Sequence, residues 1–192
     1  RHAPMEFCEV ASMSMELVGG PFLDEFYNEQ DLARAGRDRM DDVLMILPWV
    51  ATVDAFQHWI YTNPDHTPDE RAGKWEELRD RFGPGEIVDE TGFEQARRYG
   101  WHRQLHIFQV PFYYIEYGIA QLGALQVWAR SLEDRAEAIA DYQKALALGG
   151  SRPLPELFKA AGIRFDFGPD TIRPLFDEVL KEAERMAEEE AG

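Results

Sequence analysis

Basic residues are scarce in this sequence: 20 Lys and Arg stand against 36 Asp and Glu, a formal net charge of −16. Phosphate recognition needs clustered Lys and Arg, so nucleic acid is excluded as a partner and an anionic membrane surface is disfavoured. Cysteine is nearly absent too. With Cys8 as the one cysteine, no disulfide framework can form within the chain. That fits a reducing compartment, and a cytoplasmic protein is the expectation. No stretch reads as the ~20 apolar residues that a bilayer-spanning helix needs, and no secretory signal opens the sequence. Strand alternation is almost missing. Gly149-Gly150-Ser151-Arg152-Pro153 is rich in glycine but lacks the G-x-x-x-x-G-K-[ST] pattern, which excludes a phosphate loop. No H-E-x-x-H occurs among the five histidines. An initiating Met is absent as well: Arg1-His2-Ala3-Pro4 runs straight into motif-like sequence, and the expectation is a fragment.

What is present is an ordinary globular composition, with 45% hydrophobic and 12% aromatic residues across 192 positions. That is enough for one domain with a proper core. Helical periodicity dominates. Helices are expected over about 5–18, about 21–27 and about 30–61, with Pro48 kinking or splitting the third. Thr67-Pro68-Asp69-Glu70 has the form of a capping box that opens a helix running to about Phe82. Gly83-Pro84-Gly85 ends that helix, and residues 86–92 form a loop. Periodicity returns over about 93–106. A small-residue helix follows Pro111 to about Ala129, Ser131 is expected to cap one to about Leu148, and short and long helices close the chain over about 153–161 and 169–190. Glu188, Glu189 and Glu190 read as a solvated tail. The expected fold is all-α in one compact unit spanning residues 1–192.

Some residues could carry chemistry. Glu9 and Glu16 lie seven apart, on one face of the first helix two turns apart, with Glu6 close by. Phe7, Cys8, Val10 and Ala11 give Glu9 an apolar setting, where a carboxylate must be paired, neutral or metal-bound; the alternative is the wet edge of an amphipathic helix. His102 and His106 have the i, i+4 spacing of zinc ligands, but Arg103 stands where a zinc protease needs Glu, so satisfied or surface histidines remain an open reading. Tyr113, Tyr114 and Tyr117 can gather their hydroxyls on one side of a helix, suited to a developing oxyanion or simply to an aromatic core stripe. His58, between Gln57 and Trp59, is expected in the core, and His66 at the surface. Cys8, beside Glu9, has no context for a reactive thiolate.

The run Pro4-Met5-Glu6-Phe7-Cys8-Glu9-Val10-Ala11-Ser12-Met13-Ser14-Met15-Glu16-Leu17 resembles the segment after H-E-x-x-H in oligoendopeptidase F and its relatives, in the thimet oligopeptidase superfamily. Leu47-Pro48-Trp49, Asp54 through Tyr61, Trp101-His102, His106-Ile107-Phe108, Pro111 through Leu122, Leu148 through Pro153 and the region around Phe165-Asp166-Phe167 are similar to the same family in the same order. The order makes the resemblance specific, and it covers nearly the whole chain.

The resemblance implies the helical C-terminal portion of a zincin-type catalytic domain and a zinc-dependent endopeptidase acting on short peptides. Glu9, followed by Ser12 and Glu16, matches the third zinc ligand. Glu16 matches a further acidic residue that supports the ligand. His106 with Tyr114 and Tyr117 match residues at the substrate carbonyl and the tetrahedral intermediate, with His102 and Tyr113 as close alternatives. The two histidine ligands and the general-base Glu are expected upstream, on the missing N-terminal part of the same protein, so this chain alone should be inactive. Without that part, Met5, Phe7 and Phe112 through Tyr117 are expected to form an open apolar face. The alternative is a stand-alone helical domain that binds a peptide or partner without catalysis.

Overall fold

The chain is described by a computed structural model covering residues 2–191, without the side chains of residues 86 and 189–191. Arg1, on which the fragment expectation rests, lies outside the described residues, as do the Glu189 and Glu190 side chains of the acidic tail. Among the described residues there is no strand, and nine α-helices follow one another. They are α1 (Met5–Gly19), α2 (Glu29–Thr62), α3 (Pro68–Phe82), α4 (Glu94–Arg98), α5 (Leu105–Gln109), α6 (Ile115–Glu133), α7 (Arg135–Leu148), α8 (Leu154–Ala160) and α9 (Pro169–Ala191). Short 3-10 turns join several of them.

Local chemistry sets most boundaries. At α2 the Asn28 side chain accepts from the Asp31 N–H at 2.9 Å. At α3 the full capping box forms: Thr67 Oγ1 accepts from the Glu70 N–H at 3.2 Å, and Glu70 accepts from the Thr67 N–H at 2.8 Å. The Thr67 N–H and the Thr67 hydroxyl, which donates to the same carboxylate oxygen at 2.8 Å, hold the Glu70 carboxyl below the usual carboxylate range. Pro48 lies inside α2 without splitting it. Ser131 does not cap α7. It lies within α6 and donates to the Trp128 carbonyl at 2.7 Å. The cap is Asp134, whose extended backbone lets its carboxylate accept from the Glu137 N–H at 2.9 Å. Gly149, at φ +51°, ends α7 in a conformation that favours glycine.

The continuous helix expected over 93–106 is broken into α4, a 3-10 turn (Gly100–Arg103) and α5. In an unbroken helix the Arg97 carbonyl would serve Trp101. Here it takes the Trp75 Nε1–H at 3.0 Å instead, and the Gln104 backbone leaves helical geometry at φ −85°, ψ 88°. A tertiary bond outcompetes local periodicity, so His102 and His106 do not share a helix.

The chain also divides into two compact units where one was expected: residues 1–44 with 119–192, and residues 45–118. The first has a core of Phe7, Val10, Val18, Ala120, Val127, Tyr142, Leu157, Phe158 and Ile163. Tyr142 donates its hydroxyl to the Ala11 carbonyl at 2.8 Å, and Arg135 donates to the Val18 carbonyl at 2.7 Å. Those bonds tie α7 to α1. Gly123 allows the close approach of α6, since a Cβ there would lie 2.8 Å from Val10 and 3.0 Å from Phe158. Phe7, expected on an open face, is instead buried against Phe158, with ring centroids 6.0 Å apart. Met5 and Phe112 are exposed.

The second unit is built on aromatic rings. Phe56 and Trp75 are fully buried with centroids 5.1 Å apart, and Trp49 meets Trp75 edge-on at 5.7 Å. Trp101 packs on Phe56 at 5.6 Å. Glu90 bridges Arg79 and Arg97, each at 2.9 Å, along one edge of this core. Contrary to the expectation that no stretch is apolar enough, α2 is long and apolar enough to cross a membrane, with a mean hydropathy of 1.3 over 18 residues. Its Val53 and Phe56 are spent on this protein core, however, and it carries Asp54 and His58.

Candidate active site

In the second unit, α5 and the start of α6 bring one histidine and three tyrosines together. α5 ends at Gln109, and a tight turn follows in which the Tyr113 N–H bonds the Val110 carbonyl at 3.1 Å. Within that turn Phe112 has φ +63°, a conformation sparsely populated for a bulky residue. Phe112 is held there by ring contacts to His58 at 5.0 Å and Tyr61 at 5.1 Å. The turn returns the chain on itself, so Tyr113 and Tyr114 meet His106 although neither lies on a helix. Backbone strain of this sort persists only where the surroundings over-determine it.

His106 lies 5.9 Å from Tyr113, nearly parallel to it, 5.0 Å from Tyr114 and 5.8 Å from Tyr117, both edge-on. Tyr117 lies 5.6 Å from Tyr113 and 5.3 Å from Tyr114. All four side chains are half-buried. The Tyr117 hydroxyl and His106 Nε2 stand 3.5 Å apart, a loose contact that a bound group can replace. The Tyr114 oxygen accepts from Trp49 Nε1–H at 3.0 Å. Burial pushes the Tyr114 phenol up from its ordinary value, the Trp49 hydrogen bond opposes that, and Tyr117 adds to it. The phenol therefore stays protonated at neutral pH, as a donor. The cluster can present neutral hydrogen-bond donors, at least one of them preoriented, to an anionic oxygen.

The sequence profile of peptidase family M3 matches residues 1–173. The chain belongs to peptidase family M3. Three solved structures are similar to this family member. PZ peptidase A, solved with an inhibitor, is 33% identical with a TM-score of 0.86 over 96% of this chain and 32% of that one. A protein assigned as oligoendopeptidase F is 37% identical with a TM-score of 0.80, over 100% and 33%. Another so assigned, from Bacillus anthracis str. Ames, is 29% identical with a TM-score of 0.78, over 98% and 30%. The M3 chain thus spans about a third of the length of each. None of the curated proteins matches it.

The other sequence-predicted residues fall elsewhere. His102 is exposed on the 3-10 turn, against Trp101 at 4.0 Å and Tyr99 at 5.6 Å, and shares no ring contact with the cluster. Glu9 belongs to the first unit, half-buried on α1, and its Oε2 accepts from Ser12 Oγ at 3.2 Å. Glu16 is exposed on α1 and acts electrostatically on Arg39. Burial brings the Arg39 guanidinium below its ordinary value, against the opposing charges of Glu16 and Glu182. Arg39 lines a cavity of about 1060 Å³ with Leu17, Trp128 and Met186, and none of the residues singled out as catalytic or metal-binding lines it. His58, expected in the core, is exposed beside Asp54 at 3.5 Å. His66, expected at the surface, is half-buried: Arg71 Nε donates to its Nε2 at 2.7 Å, and its Nδ1 faces the Asn63 carbonyl. The residue that motif reasoning missed is Trp49. It stood only in the Leu47-Pro48-Trp49 resemblance, although a buried indole N–H generally finds an acceptor.

A zinc site has a partial basis here. Glu9 offers an oxygen donor of the right chemistry, with Ser12 orienting it. Among the described residues no three His, Cys, Asp or Glu side chains converge as a metal site. A complete zinc site therefore cannot be built from this chain's described residues.

Proposed function

We propose that this chain is the part of a zinc-dependent endopeptidase that contributes one metal ligand and the donors for the oxyanion, acting on short peptides. The observation that carries the reading is the His106–Tyr113–Tyr114–Tyr117 cluster in a chain of peptidase family M3. That membership also favours a peptidase over a stand-alone binding domain.

Glu9 would hold the zinc from α1, with the remaining ligands and the general base supplied by protein outside these 192 residues. When bound, the metal supplies Lewis-acid polarisation of the scissile carbonyl and of a water. This chain's residues do the rest of what is assigned to it. His106 and Tyr117, loosely paired, exchange their mutual contact for the substrate oxygen. Tyr114 donates its phenolic proton in a hydrogen bond and does not release it. Each such donor is worth roughly 10²–10³ in turnover when it acts mainly in the transition state.

The test is peptide cleavage by the full-length protein that contains this chain. A quenched fluorescent peptide should be cut in a zinc-dependent manner, and His106→Ala should lower turnover by roughly 10²–10³ while leaving bound zinc in place. Chelator-insensitive cleavage, or wild-type turnover in His106→Ala, would refute the reading.

A further inference from the structure

Tyr114 and Tyr117 are not equivalent, and the difference lies in a residue outside the cluster. Trp49 is on α2, and its Nε1–H points to the Tyr114 oxygen at 3.0 Å. An indole nitrogen can only donate. At this contact Tyr114 therefore accepts, and its own hydrogen turns away from the indole. Among the described residues nothing accepts that hydrogen. Tyr117, by contrast, meets only the loose 3.5 Å contact with His106 Nε2.

Trp49 is itself held by two neighbours. Its ring stands edge-on against the fully buried Trp75, at 5.7 Å and 88°. The Arg79 guanidinium lies over the ring, 5.5 Å from its centroid. Arg79 is in turn held by Glu90 at 2.9 Å, and Glu90 is held by Arg97 at 2.9 Å. The same Arg97 gives its carbonyl to Trp75 Nε1. The ring of contacts closes on itself, so the indole donor has little freedom to leave Tyr114.

We propose that Trp49 is the positioning residue of the site: its N–H fixes Tyr114 as an outward-facing donor, which makes Tyr114 a preoriented tyrosine. The catalytic consequence rests on the peptidase reading above. The hydrogen-bond link does not. Accepting from Trp49 also polarises the Tyr114 O–H, since a chain of hydrogen bonds strengthens its members. A donor held in place before substrate arrives needs no reorganisation during the reaction, so its removal reads mainly in kcat.

The experiment replaces Trp49 in the full-length protein with its sulfur isostere, benzothienylalanine, which keeps the ring shape and deletes the donor. Trp49→Phe is the second variant. The first readout is independent of peptide cleavage: with ¹³Cζ-labelled tyrosine, the Tyr114 resonance, assigned by its loss in Tyr114→Phe, should titrate at higher pH in the isostere protein. The second readout is kinetic. The isostere should lower kcat about tenfold with KM unchanged, and should have no further effect in a Tyr114→Phe background. An unmoved titration overturns the proposal. So does a kcat loss that adds fully to that of Tyr114→Phe, or a Tyr114→Phe protein with wild-type kcat. If no variant and no wild-type protein cleaves peptide, the peptidase reading fails while the titration still decides the Trp49–Tyr114 link.

Discussion

Removing one oxygen from Tyr117 or from Tyr114 should have unequal consequences for stability and similar ones for turnover. In Tyr117→Phe the deleted group makes one 3.5 Å contact with His106, well beyond the usual ~2.8 Å of a hydroxyl hydrogen bond. Its loss should cost less than about 0.5 kcal/mol, below the net worth of a good hydrogen bond. In Tyr114→Phe the Trp49 N–H loses its acceptor at 3.0 Å. An unpaired buried donor costs ~1–3 kcal/mol, and the half-burial of Trp49 puts this one near ~1 kcal/mol. Tyr114→Phe should therefore show the larger fall in Tm of the two variants. If both hydroxyls face the developing oxyanion, each variant should nonetheless lose ~10²–10³ in kcat, or ~3–4 kcal/mol of transition-state stabilisation. Thermal denaturation and single-peptide kinetics on the same preparations of the full-length protein separate the two quantities. Equal Tm losses in both variants would show that the hydrogen-bond assignment is wrong. Wild-type kcat in Tyr117→Phe would remove that residue from the mechanism.

Three further outcomes are expected. Glu9→Ala in the full-length protein should lose bound zinc by atomic absorption, whereas His106→Ala should retain it; zinc retained in Glu9→Ala would discard Glu9 as a ligand. Gly123→Ala and Gly73→Ala both gain up to ~1 kcal/mol of helix propensity, but a Cβ at 123 meets Val10 at 2.8 Å while one at 73 meets nothing within 4 Å. Denaturant titration should therefore show Gly73→Ala stabilised and Gly123→Ala destabilised, overpacking costing ~1–3 kcal/mol. Thr67→Ala should cost ~1 kcal/mol at neutral pH. Because Thr67 holds the Glu70 carboxyl below its ordinary range, that carboxylate's contribution is full above the ordinary carboxylate pKa and is lost as pH falls through the depressed one. The gap between wild type and Thr67→Ala should accordingly narrow in acid.

Much of the fold is written in local chemistry, and those parts were legible. The Thr67-Pro68-Asp69-Glu70 box forms in full, α1 begins at Met5, and α7 closes at Gly149. The sequence misled where a distant partner decided the outcome. Ser131 has the composition of a cap, but the helix continues through it to Glu133, and Asp134 takes the role. The periodic run from Phe93 to His106 breaks because Trp75, from another helix, claims the Arg97 carbonyl. Phe7 is expected on an open apolar face left by the missing N-terminal part, yet Phe158 covers it.

The candidate site shows the same division at closer range. The resemblance to oligoendopeptidase F names His106, Tyr114 and Tyr117, with Tyr113 as an alternative, but helical alignment of the hydroxyls is not how these residues meet. Tyr113 and Tyr114 precede α6, and the left-handed backbone at Phe112 turns them toward His106. A helix over the whole segment would have kept the i, i+4 relation of His102 and His106. The broken one discards His102 and leaves His106 facing three phenols. The strained turn is held by His58 and Tyr61, and the indole that orients Tyr114 comes from Trp49, both far earlier in the sequence. Spacing rules could reach neither, because each is a contact between α2 and a turn about fifty to sixty-five residues later. What α2 contributes to the site is therefore support: one face of it packs Val53 and Phe56 into the core, while Trp49, His58 and Tyr61 brace the turn and the tyrosine that the chemistry would use.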